Sequence, residues 1–218
     1  MKTIGGVALL VGMMLSACGG ESTITVEMAA DSASQGSPGA LTIGDDLEID
    51  RLEVQLREIK ILPDNANEGA EKFKAKGEFL LDVLDAERSA LPETTLEPGL
   101  YKKVEFKIEK PSSGEGLDGT DAPLVCEGRK GGIAFALHIE DLSKITLRDV
   151  NGINLQEGDA EGFVVDLVSS SWFEGVDLAE LEAEEDGVVL IDKDGPNKDA
   201  HKTIRDNIQA AIKLLRKP

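Results

Sequence analysis

Apolar and polar residues alternate with a period of two over most of this chain, the pattern of strands with one buried and one wetted face. It starts at Thr23-Ile24-Thr25-Val26-Glu27-Met28. It is cleanest at Ile133, Phe135, Leu137 and Ile139, interleaved with Ala134, Ala136 and His138. Further strands are predicted around Val104, Phe106 and Ile108, around Ile145 and Leu147, around Phe163, Val165 and Leu167, and over Val188 to Ile191. The run from Leu47 to Leu62 fits two periods. Leu52, Val54 and Leu56 alternate as in a strand, while Ile49, Leu52, Leu56 and Ile59 also fit helical spacing. Its β-branched content and the stop at Pro63-Asp64-Asn65 favour a strand, with a bulge between Leu56 and Ile59 to restore the buried face. Phe79-Leu80-Leu81-Asp82-Val83-Leu84 is short and apolar, as a strand covered on both faces would be.

Turn residues separate these runs. Residues 29–46 are small, polar and broken by Gly and Pro, and predict a long loop. Pro98-Gly99 predicts a type II turn feeding the strand at Val104. Asn151-Gly152 predicts a hairpin turn into Ile153-Asn154-Leu155. Helical spacing appears as a short segment from Asp177 to Glu184 and a terminal helix over about 200–216. The terminal helix puts Ile204, Ile208, Ile212 and Leu215 on one face. The expected body is one mainly β domain, residues 23–218, ending in that helix.

Before the first strand, a segment from Ile4 to Leu15 carries no charge, follows Lys2, and is too short to span a bilayer. It ends in Leu15-Ser16-Ala17-Cys18, which resembles the bacterial lipoprotein box. The resemblance implies a signal peptide over 1–17, cleavage before Cys18, lipid on its sulfur and amino group, and a short tether over 18–22. The expected location is the cell envelope. Gly19 stands where an aspartate commonly marks inner-membrane retention in such lipoproteins, so the outer membrane is favoured where the host has two. A body tethered so closely would rest on the membrane, and its acids are expected to lie away from Thr23.

A second resemblance rests on Thr23 to Met28, Leu47 to Leu62, Leu80 to Leu84, Leu96-Glu97-Pro98-Gly99-Leu100-Tyr101, and Val104 to Ile108. Their order is similar to that in a family of bacterial surface lipoproteins of unknown function with an L-x-P-G-x-Y motif before an alternating strand. It implies an immunoglobulin-like or prealbumin-like antiparallel β-sandwich, and brings no catalytic residues.

Charge and chemistry narrow the function. The 218 residues include 42 acids and 23 bases, for a formal charge of −19, which opposes nucleic acid and favours cations or basic partners. Cys126 has no disulfide partner once Cys18 is acylated, and its apolar neighbours make it a small core residue. Gly114-Glu115-Gly116-Leu117-Asp118-Gly119 spells G-x-G-x-x-G. No helix follows it and its acids would repel a pyrophosphate, so it reads as a flexible acidic loop. Ser169-Ser170-Ser171 has no nucleophile elbow around it. Asp192, Asp194, Asn197 and Asp199 resemble a calcium loop in composition, but the order is wrong for an EF-hand; the other reading is a turn with Asp199 capping the last helix. His138 reads as partly buried and His201 as solvent-facing. No cofactor is implied and no catalytic set stands out. The expectation is a non-enzymatic envelope lipoprotein, a structural or binding module held to the membrane through Cys18 and without nucleic acid. Calcium or glycan binding is the alternative, a protein or divalent-cation partner stays open, and a hydrolase using acidic residues is a lesser one.

Overall fold

The computed structural model describes residues 22–30, 40–63, 73–85, 91, 94–110, 114, 116–140, 142, 144–168 and 170–216. Residues 1–21, on which the expected signal segment, Cys18 and most of the expected tether fall, lie outside these, as do Ser169 and Glu115. Twelve strands and one α-helix make up the described part: β1 (Ser22–Ala30), β2 (Leu41–Ile43), β3 (Leu47–Pro63), β4 (Phe73–Asp82), β5 (Thr94–Leu96), β6 (Gly99–Ile108), β7 (Leu124–Lys130), β8 (Ile133–Ile139), β9 (Lys144–Leu155), β10 (Ala160–Val168), β11 (Val189–Ile191), α1 (Lys198–Ala211) and β12 (Lys213–Arg216). The protein is a mainly β sandwich with a C-terminal helix.

β3 organises the larger sheet. Along one edge it pairs first with β7, over Leu47 to Val54, and then with β6, over Leu56 to Pro63. Along the other it pairs with β2 and then with β4. β8 and β11 extend the first half, and β9 extends the second. The predicted bulge is present, since both partners of β3 shift register between Leu56 and Glu58, so that Leu56 and Ile59 both face the core. A second shift, between Ile49 and Arg51, does the same for Ile49 and Leu52. Two bulges in one strand thus produce the near-helical spacing of its apolar residues.

The smaller sheet has the order β12-β10-β1-β5. Ile24 and Val26 of β1 and Val165 and Leu167 of β10 share one apolar core with the inner face of the larger sheet. A 14-residue α1 packs near β8 and β11, with Ile204 and Ile208 fully buried. Phe135 of β8 meets Phe173 edge to face with centroids 4.8 Å apart. Trp172 and Cys126 are fully buried, and Cys126 is a free thiol whose pKa is pushed up by burial and then by the charges of Glu127 and Asp50.

Several local expectations are corrected. The sandwich is not purely antiparallel: β1 runs parallel to β10, and β11 to β8. The apolar run at Leu80 belongs to an edge strand, β4, whose Leu80 is 46% exposed. Asn151-Gly152 makes no hairpin, because β9 continues to Leu155 with a bulge against β6. Gly152 takes φ +69° there, where a Cβ would lie 2.7 Å from the Tyr101 carbonyl oxygen. Gly99 has no positive φ and enters β6 directly opposite Leu155, while the buried Tyr101 hydroxyl donates to the Glu97 carbonyl at 2.8 Å and holds the corner. The Asp177–Glu184 segment forms only one 3-10 turn, Leu178–Glu180, whose Ala179 N–H donates to the Asp177 carboxylate. The last helix stops at Ala211 because Lys213 to Arg216 pair with the open edge of β10, which supplies backbone partners a further helical turn would not need. His201 is 3% exposed rather than solvent-facing, lying on the buried side of α1 with Ile204 and Ile208. At the start of β1 the Thr23 N–H donates to the Asp159 carbonyl and the Ser22 hydroxyl to that of Gln156, which places β1 beside the turn of Gln156 to Asp159.

Candidate functional site

The outward face of the larger sheet falls into two halves that meet at the Leu56/Glu58 bulge. Over the first half, residues 116–122 fold back onto the sheet between β6 and β7. Leu117 and Ala122 bury Val125 in a small apolar cluster of their own. The clasp is Arg51, whose guanidinium donates to both carboxylate oxygens of Asp118 at 2.7 and 2.9 Å, and also to Glu127 and Glu53. Such bidentate pairing fixes geometry as well as charge. The Arg51 hydrogen bonds hold the Asp118 carboxyl below its usual range. Asp118 itself sits in the left-handed region at φ 56°, which aspartate tolerates better than most residues. Residues 116–119 of the G-x-G-x-x-G segment therefore belong to a cap that Arg51 clasps to the sheet. His138 is half-buried on the same side, in register with Val125.

Over the second half nothing of the described chain covers the sheet, and the charge balance inverts. Register places Lys76, Glu58, Lys107 and Lys144 in one row across β4, β3, β6 and β9. A second row holds Lys74, Lys60, Glu105 and Thr146, and a third brings Lys103 beside Arg148. With strands about 4.8 Å apart and rows about 6.8 Å apart, this is a flat lattice of basic groups with two acids inside it. Glu58 is held by Lys60 and by Lys74 at 2.8 Å. Glu105, 8% exposed, is held by Lys144 at 2.8 Å and more loosely by Lys60 and Lys103, both at 3.8 Å. The hydrogen bonds from Lys60 and Lys74 lower Glu58 to about 2. Burial alone would raise Glu105, but Lys144, Lys103 and Lys60 together bring it below its ordinary value. Lys76 and Arg148 have no ion-pair partner among the described residues. In a chain of charge −19, this face is a local excess of positive charge.

A notch of about 190 Å³ opens where the two halves meet, lined by Gln55, Leu56, Arg57, Glu78, Phe79, Leu80 and Glu109. The Gln55 side-chain oxygen is buried and has no hydrogen-bond partner among the described residues. Between the sheets, Ile24, Ile61, Phe73 and Phe79 help to line an apolar cavity of about 60 Å³.

The residues singled out from sequence do not assemble a site. Asp192 accepts backbone N–H groups of Asp194 and Gly195, forming a turn. Asn197 is 5% exposed, and its amide bonds Glu182 twice and Leu190 once, so it ties loop to strand. It also occupies the cap position of α1 without a side-chain cap bond, while Asp199 sits in the first turn; the expected Asp199 cap is not formed. Among the described residues no three His, Cys, Asp or Glu side chains are grouped to hold a metal ion. Nor is any described helix long and apolar enough to cross a membrane. The members of the lysine lattice lie on four strands, so in the sequence only the alternations Lys74-Ala75-Lys76 and Lys103-Val104-Glu105-Phe106-Lys107 hint at it. No protein-family model, curated protein or solved structure matches the chain.

Proposed function

We propose that this chain is a non-enzymatic binding module of the bacterial cell envelope, carried on the membrane by lipid at Cys18, which holds an anionic polymer on the open half of its larger sheet. The carrying observation is the basic lattice of Lys76, Lys107, Lys144 and Arg148, which no described residue covers, on a strongly acidic chain. Net charge sets long-range repulsion, but within a Debye length, about 8 Å in physiological salt, the local field decides binding. Lysines rather than arginine forks make the face a set of point charges, suited to repeated anionic groups more than to one oriented carboxylate. The rows described above hold no aromatic ring on which bases would stack, which disfavours single-stranded nucleic acid. The lipoprotein box supports the location, and the L-x-P-G-x-Y resemblance supports the class.

Two double reversals with the same net charge test this. Lys76→Glu with Lys107→Glu should abolish retention on an immobilised polyanion in physiological salt, while Lys198→Glu with Lys202→Glu on the exposed side of α1 should leave it intact. Equal loss in both would reduce the effect to net charge and refute the assignment. Separately, Cys18→Ser should release the protein from the membrane fraction.

A further inference from the structure

Resting on the reading of the lysine lattice as a polyanion site, we infer that its polymer is an acidic polysaccharide, with sugar hydroxyls entering the notch beside Gln55. The notch adjoins the first lysine row, because Glu78 follows Lys76 along β4 and Glu109 follows Lys107 just beyond β6. A chain lying on that row reaches the notch without leaving the face.

The groups offered there select hydroxyls. Glu78 and Glu109 are acceptors, and the buried amide oxygen of Gln55 lacks a partner among the described residues. A buried polar atom left unpaired costs stability and is normally satisfied. A ligand anion would meet two carboxylates that already have their cations, Glu109 with Lys107 at 2.5 Å and Glu78 with Arg57 at 3.7 Å, whereas a hydroxyl donates its one O–H to any one of the three acceptors. It also accepts, so it serves the Gln55 amide in either orientation. Arg57 donates from the same lining, with its guanidinium 3.7 Å from Glu78. Leu80, 46% exposed at the rim, gives an apolar contact of the size of a sugar ring's C–H face. At about 190 Å³ the notch takes a single ring and no more. A peptide made of Asp and Glu fits the lattice but has no hydroxyls for the notch, and a lipid surface is flat and does not enter it. The face carries no aromatic platform in its rows, so a neutral glycan lacks both stacking and charge.

The test is titration of the full chain, in its membrane-extracted form, with four probes: polygalacturonate, poly-glutamate of matched charge, dextran, and phosphatidylglycerol vesicles. Polygalacturonate is expected to bind about tenfold or more tighter than poly-glutamate, with dextran not binding. Gln55→Leu should bring polygalacturonate down to the poly-glutamate level and leave poly-glutamate unchanged. Leu80→Asn, a neutral change at an exposed position, should do the same by removing the apolar contact at the rim. Lys107→Glu should weaken both polymers. Equal binding of the two polymers, with neither notch variant changing their ratio, overturns the glycan assignment while the basic face stands. Tighter binding to the vesicles overturns it in favour of a lipid surface. Failure of every anionic probe overturns the underlying reading as well.

Discussion

The two halves of the larger sheet share one strand and differ in what lies on their outer side. Along β3 before the bulge, a single arginine is surrounded by Asp118, Glu53 and Glu127, and the chain's own loop is clasped over the sheet. Beyond the bulge, two glutamates sit among lysines and none of the described residues covers the sheet. In the first half, opposite charges are used up in closing the structure. In the second, cations exceed the anions available to them, which is the condition for binding something else. The bulge makes the division possible, because it lets β6 give way to β7 along one edge while the chain between them loops out over the face.

The largest expected effect comes from opening the closed half at its backbone. Gly128 lies opposite Ile49, beside the bulge between Ile49 and Arg51, and a Cβ there would stand 2.0 Å from the Glu48 carbonyl oxygen. Gly128→Ala should therefore force β7 away from β3 and cost about 3 kcal/mol or more, measured by denaturant unfolding. Removing the clasp is next. Arg51→Met leaves three carboxylates facing one another and should cost about 1–2 kcal/mol, discounted because the guanidinium is partly exposed. It should also expose residues 116–122 to proteolysis while leaving polyanion binding intact. On the open half, Glu105→Gln should cost about 1 kcal/mol, since the lysines that hold it reach solvent, and should tighten polyanion binding by removing a negative charge. The same pair of acids predicts a pH response. Glu58 and Glu105 ionise more readily folded than unfolded, so their stabilisation is complete above the ordinary value of 4.5 and is lost as the pH falls below it, for Glu58 towards about 2. The melting temperature of the double variant Glu58→Gln with Glu105→Gln should change less between pH 5 and pH 3 than that of the parent. Smallest of all, Lys76→Glu should alter stability by less than about 0.5 kcal/mol and still weaken polyanion binding, separating what the face binds from what it holds together.

The architecture was legible where side-chain period alone decides it. Strands at Ile133–Ile139 and Val104–Ile108, the bulge after Leu56 and the buried Cys126 all follow from local pattern. Partners across the sheet were not legible. Nothing local distinguishes a parallel β1–β10 pair from an antiparallel one, or tells Lys213 to Arg216 that an open edge awaits them. The helical period of Ile208, Ile212 and Leu215 was real, but the pairing with β10 overrode it past Ala211. The site was hidden for the same reason. Lys76, Lys107 and Lys144 become neighbours only once register is set, and an overall charge of −19 pointed away from any basic surface. His201 and Asn197 were visible as polar residues near a helix start, yet their burial depends on strands and loops far from them in sequence.

Lysine footprinting of the native protein in its own membranes tests the central claim most directly. With a membrane-impermeant amine reagent applied to opened envelopes, Lys76, Lys107 and Lys144 should be protected at physiological salt and become reactive in high salt, as a screened polyanion leaves. Lys198 and Lys202, exposed on α1, should react equally in both. Uniform reactivity of all five, unchanged by salt, would contradict a bound polymer on the open half of the sheet.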